Sequence, residues 1–439
     1  MRLKKLVVKN FKSLRNCEIE LGKFNVLVGP NASGKSNLVE VFKLLRKIYV
    51  ERDYNPFLEW WGYNNIVWAG KEELPITIGM LFDVEGYDVY FETTFTGTGG
   101  SFRILKETLD IPGYVKIEKK GRFLNISHDK GWLKKVLPYL KEKYRDMPSF
   151  VSEYFSLSLS ELEYIKEELP INFENKSLIG IGTRGAWYEE ESKVAYTILE
   201  IHDGLNIHRV PVICPTIKQN NTIEPLCWFE FHIHSFLSKS LVLRQIFVRE
   251  LKTSQYPRKE TALKEDASNL VPLLYNIWLR EGRLPEEIAK PLSIAFPDTR
   301  VFFQLTEDGR VMMKVFEGDL ELAPPSISDG FYKALAILTA VYLKPPLLII
   351  DEIENSLHPE TLELIIDTLK ESESQVIITT HSPVVVNMVE PSELILVDKE
   401  KGETVFKRIE DPEKIKKFLN EKGITLSEGW LYGSLFEGD

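Results

Sequence analysis

The segment at residues 29–36 is the first part of the sequence whose residue types and spacing could do chemistry. It reads Gly-Pro-Asn-Ala-Ser-Gly-Lys-Ser and fits the pattern G-x-x-x-x-G-K-[ST] in full. In such a loop the glycines let backbone N–H groups surround a β-phosphate, the lysine contacts the β- and γ-phosphates, and the hydroxyl binds Mg²⁺. The pattern predicts a nucleoside triphosphate site; the alternative is a chance glycine-rich loop before a helix.

Nine consecutive positions are predicted to contact the nucleotide, because they form this loop and the start of the helix after it. Two of them carry further predicted roles: the Lys35 ammonium also acts in catalysis, and the Ser36 hydroxyl is a ligand of Mg²⁺. The nine are Gly29, Pro30, Asn31, Ala32, Ser33, Gly34, Lys35, Ser36 and Asn37.

Two acidic residues follow a second apolar run, Leu347–Ile350. A phosphate-binding loop needs a carboxylate from the end of a neighbouring strand to support its metal ion, and Asp351 is predicted to supply it. Glu352 comes next and is predicted to polarise the attacking water. The alternative is a strand that ends at the surface in two acidic side chains.

A histidine follows a third apolar run, at residues 375–378. The carboxyl ends of parallel strands meet at one edge of a sheet, so His381 is expected beside the other motifs. From there it could hydrogen-bond the γ-phosphate or the attacking water. The alternative is a histidine with a structural role only.

A second anion site is predicted before the helix at residues 331–343. Ser328, Asp329 and Gly330 place a hydroxyl and a glycine at the helix N-terminus, where unpaired N–H groups favour negative charge. The alternative is an ordinary N-cap.

The elements that must position these groups indicate an α/β fold. Alternating residues predict strands at 3–8 and 18–21 and an antiparallel sheet within 75–127, while Phe24–Val28 and Leu347–Ile350 have the continuous apolar character of buried strands. Apolar side chains at helical spacing over residues 38–49 predict a helix directly after the glycine-rich loop.

Taken together, these motifs resemble the Walker A, signature, Walker B, D-loop and H-loop motifs of an ABC-type ATPase. More narrowly, the chain resembles the RecF-like and SMC-like predicted ATPases, which are relatives of the ATPase half of the overcoming-lysogenisation-defect nucleases. The segments that carry this resemblance are Asn10-Phe11-Lys12-Ser13, Pro30-Asn31, residues 263–270, Ile327-Ser328-Asp329-Gly330, residues 354–359 and Thr380-His381-Ser382-Pro383.

The resemblance implies a homodimer in which ATP and Mg²⁺ are held between two head-to-tail chains. Ser328, Asp329 and Gly330 of one chain would contact the γ-phosphate bound at residues 29–36 of the other. Lys12 and Ser13 are implied to contact the nucleotide as well. Because neither half-site alone surrounds the triphosphate, ATP would join the two copies and its hydrolysis would loosen them.

The predicted fold class is therefore a P-loop NTPase, an ABC-type head with an antiparallel β lobe, a parallel-sheet core and a helical insertion. Residues 1–127 are expected to hold Walker A and the antiparallel layer. Residues 128–240 are expected to be a helical or irregular insertion. Residues 241–439 are expected to carry the signature, Walker B, D-loop and H-loop.

Several features depart from the pattern of these relatives. Asp329 stands where the usual signature has its first glycine, and Phe331 stands where it has Gln or Glu. The glutamine of the Q-loop is not assigned, with Gln219 and Gln245 as candidates. A long coiled coil cannot form, and no Toprim domain follows before Asp439, so we expect no nuclease within the chain.

The composition excludes several classes of protein. The 55 Lys and Arg and 65 Asp and Glu give a net charge of −10, so the molecule as a whole is not a basic nucleic-acid-binding protein. The longest apolar stretch, residues 335–350, is interrupted by Lys344, Pro345 and Pro346, so no membrane segment is expected. The 3 cysteines are too few for a disulfide framework, which indicates a reducing cytoplasm.

We expect an enzyme that hydrolyses ATP to ADP and phosphate and acts as an ATP-gated dimeric switch or clamp, in DNA repair and maintenance or in defence against mobile elements. Candidate partners are DNA and a separately encoded nuclease or other effector. One alternative is an ATP-driven regulatory subunit of a protein effector that does not touch DNA. Another is the ATPase subunit of a transporter.

Two groups of basic residues could contact DNA phosphates, and the alternative is an ordinary solvated lysine face. The groups are Arg2, Lys4, Lys5, Lys9, Lys12 and Arg15, and Lys130, Lys134, Lys135, Lys141, Lys143 and Arg145. The pair His232 and His234, with Glu230 on the same face of a predicted strand, could suggest a metal, but a solvated or packed polar face is favoured.

Overall fold

The computed structural model describes residues 1–143, 159–169, 176–178, 182–189, 193–202, 207–219, 222–227, 229–433 and 435. The chain divides into two compact units. The first comprises Met1–Glu20 and Leu44–Ser238, and the second comprises Leu21–Lys43 and Lys239–Asp439. The glycine-rich loop therefore lies in the same unit as Asp351, Glu352, His381 and Ser328.

The described strands are, in chain order, β1 (Arg2–Phe11), β2 (Leu14–Glu20), β3 (Phe24–Val28), β4 (Ile76–Val84), β5 (Tyr87–Thr96), β6 (Arg103–Ile111), β7 (Val115–Lys120), β8 (Phe123–His128), β9 (Tyr164–Glu168), β10 (Gly182–Glu189), β11 (Val194–His202), β12 (Ile207–Gln219), β13 (Thr222–Pro225), β14 (Leu241–Leu243), β15 (Thr299–Leu305), β16 (Val311–Glu317), β17 (Leu320–Leu322), β18 (Leu347–Ile350), β19 (Gln375–Thr380), β20 (Leu394–Glu400) and β21 (Glu403–Arg408).

The described α-helices are α1 (Lys35–Tyr49), α2 (Lys130–Lys143), α3 (Leu159–Glu163), α4 (Phe229–Lys239), α5 (Val248–Leu251), α6 (Leu270–Glu281), α7 (Glu286–Ala295), α8 (Asp329–Tyr342), α9 (Pro359–Glu371), α10 (Pro383–Asn387), α11 (Pro412–Lys422) and α12 (Leu426–Leu431). Single 3₁₀ turns lie at Leu58–Trp60, Tyr63–Asn65, Trp68–Gly70, Thr98–Gly100, Pro324–Ser326 and Pro391–Glu393.

The first unit is built on an eight-stranded antiparallel sheet with the order β2-β1-β4-β5-β6-β7-β8-β9. In β4 the buried positions include Ile76, Ile78, Met80 and Phe82, which is the period-2 alternation of a strand with one covered face. The predicted antiparallel sheet within residues 75–127 is thereby confirmed.

The second unit is built on a six-stranded sheet with the order β14-β18-β19-β3-β20-β21. Its strands are parallel except for β21, which is antiparallel to β20. All residues of β3 and of β18 are buried, as expected for central strands covered on both faces. Helices α7, α8 and α9 all pack against one another in this unit, which also contains a three-stranded antiparallel sheet, β15-β16-β17.

The predicted division into residues 1–127, 128–240 and 241–439 stays a prediction, but its expectation for the middle segment is partly wrong. Helices α2, α3 and α4 lie there, yet residues 182–225 contribute a four-stranded antiparallel sheet, β10-β11-β12-β13. The strand predicted around His232 is also wrong, because that residue lies on helix α4.

Candidate active site at the edge of the parallel sheet

The glycine-rich loop joins the end of β3 to the start of α1, as predicted. A Cβ atom at Gly29 would lie 2.0 Å from the carbonyl oxygen of Val397 on β20, so only glycine allows this close approach. Gly34 has a φ of 109°, which disfavours residues with a side chain. The backbone geometry alone thus requires glycine at two positions of the motif.

The Lys35 ammonium lies against its own loop. Its Nζ atom donates to the carbonyl oxygens of Gly29 at 2.8 Å and Pro30 at 2.9 Å. Burial lowers the pKa of Lys35, although the nearby carboxylates of Asp351, Glu354 and Glu352 oppose that shift. A cation that is partly desolvated and held by neutral carbonyl groups is suited to exchange them for phosphate oxygens.

A buried hydroxyl inside the loop fits a phosphate ligand. The Ser33 side chain is 2% exposed, and its Oγ atom has no hydrogen-bond partner among the described residues. The Ser33 carbonyl is held by the hydroxyl of Thr404 at 2.8 Å. An unpaired buried hydroxyl is costly unless a ligand satisfies it, so the loop agrees with the predicted phosphate site.

Parallel pairing brings the predicted motifs to one edge. Strand β19 lies between β18 and β3 and is parallel to both, so the three strands end on the same side of the sheet. Asp351 and Glu352 follow β18, His381 follows β19, and the loop follows β3. The structure therefore places these residues together as the sequence predicted; their chemical roles stay predictions.

Asp351 is oriented by two hydroxyl groups. Its Oδ1 atom accepts a hydrogen bond from Thr379 at 2.5 Å and one from Ser36 at 3.3 Å. Its Oδ2 atom lies 3.5 Å from Nε of Arg244. A carboxylate beside a serine hydroxyl supplies the hard oxygen ligands that Mg²⁺ prefers, so Ser36 and Asp351 fit the predicted ion.

Hydrogen bonds hold both the backbone and the side chain of Glu352. Its φ is 51°, in the left-handed region, and its N–H donates to the Thr379 hydroxyl at 2.9 Å. Its carbonyl oxygen accepts from Nζ of Lys333 at 2.7 Å, and its Oε2 atom accepts from Nδ2 of Asn355 at 2.7 Å. The carboxylate is thus pre-positioned, as a general base needs.

His381 is anchored by Glu354. The Oε1 atom of Glu354 accepts from the His381 N–H at 2.8 Å and lies 3.0 Å from His381 Nδ1. The Glu354 carboxylate is mostly buried, whereas the histidine side chain is 44% exposed. Part of the histidine side chain is therefore accessible to a ligand.

The predicted second anion site lies at the N-terminus of α8. Ser328 is the N-cap of this helix, and its Oγ atom accepts from the Phe331 N–H at 3.2 Å. Asp329 pairs with Lys252 at 3.0 Å, and both Ser328 and Asp329 are exposed. A Cβ atom at Gly330 would lie 2.4 Å from the carbonyl oxygen of Ser356, so this helix start packs directly on the segment after Glu352.

A cavity of about 770 Å³ lies beside Ser36 and the two acidic residues. Arg244 and Gln245 follow β14 and line it, which places Gln245 in the site. Gln219 ends β12 in the first unit, and its side chain lies outside the described residues. The full lining is Ser36, Lys43, Arg244, Gln245, Phe247, Lys264, Glu265, Asp266, Asp351, Glu352 and Asn355.

Lys12 and Ser13 lie in the turn between β1 and β2, in the first unit. Lys12 has a φ of 48°, and its Nζ atom lies 6.0 Å from the ring centroid of Trp60. The other predicted site residues lie in the second unit, so contact of Lys12 and Ser13 with a nucleotide stays a prediction.

Four groups of the site were missed by reasoning from the sequence: Thr379, Lys333, Glu354 and Arg244. Thr379 and Glu354 stand within or next to recognised motifs, so their position was a signal that could have been used. Lys333 lies inside an apolar helix, where a lysine is out of place. Arg244 follows a strand too short to be recognised from the sequence.

Two further predictions concern metals and membranes. Among the described residues, no group of three or more His, Cys, Asp or Glu could hold a metal ion. The Glu230 side chain is not among them, so the role predicted for His232 and His234 stays a prediction. Every described helix is too short or too polar to cross a membrane.

The parallel sheet, the loop between β3 and α1 and the acidic strand end define a P-loop NTPase, which confirms the predicted fold class. Two family models match the sequence. Residues 1–183 match the family described as "AAA ATPase domain", and residues 231–387 match the family described as "AAA domain, putative AbiEii toxin, Type IV TA system". Along both segments the chain is similar to ATPase domains, so the predicted resemblance is confirmed at that level.

The solved structures similar to this chain include heads of SMC proteins. An SmcHead bound to the C-winged helix domain of ScpA has 14% identity and a TM-score of 0.49, covering 93% of this chain and 98% of that one. The SMC head domain from Thermotoga maritima has 15% identity and a TM-score of 0.42, covering 94% and 100%. A Pyrococcus furiosus Smc head with an extended coiled coil, bound to the C-terminal domain of ScpA, has 16% identity and a TM-score of 0.44, covering 96% and 99%. No curated protein matches the chain.

Proposed function

We propose that this chain binds ATP with Mg²⁺, hydrolyses it, and closes into a head-to-tail dimer while ATP is bound. The observation that carries the proposal is the gathering of the loop at residues 29–36, Asp351, Glu352 and His381 at one edge of a parallel sheet. The two ATPase-domain matches cover these residues between them.

The binding step uses groups that lie together in the second unit. The Lys35 ammonium would leave the carbonyls of Gly29 and Pro30 for the β- and γ-phosphates, and the Ser33 hydroxyl would gain a partner. Ser36 and Asp351 would hold Mg²⁺, which neutralises charge on phosphate oxygens when bound. Thr379 keeps Asp351 turned toward Ser36.

The hydrolytic step needs a base and a group that steadies the γ-phosphate. Glu352 is proposed to accept a proton from the attacking water, with Asn355 fixing its carboxylate at 2.7 Å. His381, held by Glu354, is proposed to hydrogen-bond the γ-phosphate or that water. Gln245 lines the same cavity and is the better placed Q-loop candidate.

The dimer is proposed because the signature residues stand apart from the cavity. Ser328, Asp329 and Gly330 are not among the described residues that line it, yet Ser328 and Asp329 are exposed at the N-terminus of a 14-residue helix. Such a terminus favours anions, so it would complete the site of a second copy.

The test is the oligomeric state of the Glu352→Gln variant, which should bind ATP but not hydrolyse it. With ATP and Mg²⁺, analytical ultracentrifugation should show dimers that persist, and without nucleotide it should show fewer. Ser328→Arg in the same background should abolish the dimers while leaving monomer ATP affinity nearly unchanged. Monomers at every ATP concentration would refute the proposed ATP-dependent dimer.

The biological setting is proposed to be genome maintenance or defence against mobile elements. The description of the second matching family, a putative toxin of a toxin–antitoxin system, supports the defence setting. In either setting, the ATP-bound dimer is proposed to act on a separately encoded protein effector, whose activity it switches.

DNA is a second candidate partner, supported by the basic residues at positions 2–15. Two of these are paired with acidic residues: Lys4 lies 2.7 Å from Asp88, and Lys5 pairs with Glu18. These ion pairs reduce the positive electrostatic potential that the basic residues would present to DNA phosphates. Lys141, Lys143 and Arg145 of the other basic group lie outside the described side chains. ATP-dependent duplex binding that falls steeply with salt would support DNA contact, and no binding at low salt would exclude it.

A further inference from the structure

Lys333 is a buried lysine that the proposed chemistry does not yet use. It lies on helix α8, five residues after Ser328, and is only 6% exposed. Burying an ammonium group is costly unless it is paired and hydrogen-bonded. Its Nζ atom donates to the carbonyl oxygen of Glu352 at 2.7 Å, and the carboxylates of Glu354, Glu352 and Asp351 supply the favourable charge.

The carbonyl that Lys333 contacts belongs to a residue in a strained conformation. Glu352 has a φ of 51° and Ser356 one of 64°, and such values cost energy in residues other than glycine. Thr379 holds the N–H of Glu352 on one side, and Lys333 holds its carbonyl on the other. The direction of the Glu352 side chain depends on this backbone conformation, so Lys333 helps to fix where the carboxylate lies.

The same helix carries the second anion site. Gly330 packs against the Ser356 carbonyl so closely that a methyl group would not fit, and Lys333 contacts Glu352 one turn further along. The start of α8 and the segment 352–356 are therefore joined at two points. These contacts would transmit a displacement of Ser328 by a few tenths of an ångström to the backbone of Glu352.

We propose that Lys333 is a positioning residue that connects Ser328–Gly330 to Glu352 of the same chain. When the ATP bound to the partner contacts Ser328–Gly330, Lys333 would set the position of the Glu352 carboxylate. This inference rests on the proposed function. It explains how each copy could sense that its partner is loaded before it hydrolyses its own ATP.

The first experiment compares Lys333→Met with Lys333→Arg. Methionine fills a similar volume without charge or donor, and arginine retains both. We expect Lys333→Met to keep ATP affinity within about 3-fold and KM nearly unchanged, while kcat falls by about 10²-fold, because small misplacements at a reacting centre have effects of that size. Lys333→Arg should recover part of kcat. Lys344→Met, at the exposed lysine just after α8, is the matched control and should behave as the parent.

A purely structural role for Lys333 would give a different result. Lys333→Met would then lower the melting temperature and ATP affinity together, and kcat would follow the folded fraction. If Lys333→Met does not fold, Lys333→Gln, which keeps an amide donor, provides the same comparison of kcat with KM. An unchanged kcat in a folded variant would overturn the proposal.

Mixed dimers locate the effect within one chain. Two differently tagged chains are paired so that one carries Glu352→Gln and only the other hydrolyses ATP. Placing Lys333→Met in the hydrolysing chain removes the contact to the working Glu352, so single-turnover hydrolysis should fall as in the pure variant. Placing it in the Glu352→Gln chain leaves that contact intact, so hydrolysis should stay near the parent rate.

Two outcomes separate this inference from the proposed function. Equal losses in both mixed dimers, or a loss only in the second, would mean that Lys333 merely supports α8, and the positioning role would be wrong. If Glu352→Gln chains with an intact Lys333 fail to dimerise with ATP, the proposed ATP-dependent dimer is refuted, whatever the Lys333 variants do.

Discussion

The Thr379 hydroxyl donates a 2.5 Å hydrogen bond to Oδ1 of Asp351 and accepts one of 2.9 Å from the backbone N–H of Glu352. A single hydroxyl on β19 therefore orients both acidic residues that follow β18. Thr379 therefore orients the carboxylate of Asp351, the proposed metal ligand, toward Ser36 and also fixes the backbone of Glu352, the proposed base.

Replacing Thr379 by valine should separate metal binding from nucleotide binding. The shape of the side chain is kept, but both hydrogen bonds are lost. We expect the Mg²⁺ concentration needed for half-maximal hydrolysis to rise about 10- to 100-fold, the usual effect of removing a partner of a metal ligand. Nucleotide binding without Mg²⁺, measured by fluorescence titration, should change little. Thr368→Val, which removes a hydroxyl bonded only to a carbonyl of its own helix, is the control and should leave the Mg²⁺ dependence as in the parent.

The position of the candidate site at one edge of the sheet could be predicted from the sequence, because the phosphate-binding loop and the acidic residues directly follow apolar runs that form strands. Phe24–Val28 and Leu347–Ile350 have the predicted bounds in the structure, and parallel pairing then fixes where the loop and Asp351 meet. Helix α1 was predicted from apolar spacing, and the side chains at 38, 39, 41, 42, 44, 45, 48 and 49 are all buried.

Contacts between distant segments could not be predicted in the same way. The Lys333–Glu352 and Thr379–Asp351 hydrogen bonds join residues whose partners depend on packing and strand register, which one sequence does not specify. His232 was misassigned because His-Ile-His resembles alternation. Its buried neighbours, Ile233, Phe236 and Leu237, follow the helical spacing that decides the matter.

Glu354 should act on hydrolysis through His381. Glu354→Ala removes the acceptor of the His381 N–H and the partner of its ring, so we expect kcat to fall about 10-fold or more. Glu354→Gln keeps an acceptor oxygen and should lose less. Steady-state hydrolysis of Glu354→Ala, His381→Ala and the double variant forms a cycle. If the double variant is no worse than His381→Ala, Glu354 works through the histidine, whereas additive losses would mean an independent role.

Gly330→Ala should weaken the ATP-dependent dimer while the ATP affinity of the monomer stays nearly unchanged, because Lys35, Ser36 and the rest of the phosphate-binding loop do not contact Gly330. Its new Cβ atom would lie 2.4 Å from the Ser356 carbonyl oxygen, so the start of α8 must shift. In the Glu352→Gln background we expect the concentration for ATP-dependent dimerisation to rise at least about 10-fold, measured by ultracentrifugation. Gly22→Ala has its nearest contact at 3.7 Å and is the control. Unchanged dimerisation of Gly330→Ala would argue against this helix start as the contact surface.

His128 in the first unit joins three elements in its neutral form. Its Nε2 atom accepts from the Ile213 N–H at 3.2 Å, so its Nδ1 atom carries the proton and donates to the Leu162 carbonyl at 2.8 Å. Burial lowers the pKa of His128 from 6.5 to about 4. Protonation of Nε2 would turn this acceptor into a donor that faces the Ile213 N–H, so the folded chain disfavours the charged form of His128.

The sign of the resulting pH dependence follows from that lowered pKa. The contribution of His128 to stability is fully present above the unfolded value of 6.5 and is lost as the pH falls toward about 4, because the unfolded chain binds the proton first. The loss should amount to at most about 3 kcal/mol in the unfolding free energy, obtained from urea titrations at several pH values. His128→Gln keeps a donor and an acceptor but does not titrate, so its stability should decline less between pH 6.5 and 4. His358→Gln, at an exposed histidine, should decline as the parent does, and equal slopes for all three proteins would show that His128 does not govern this range.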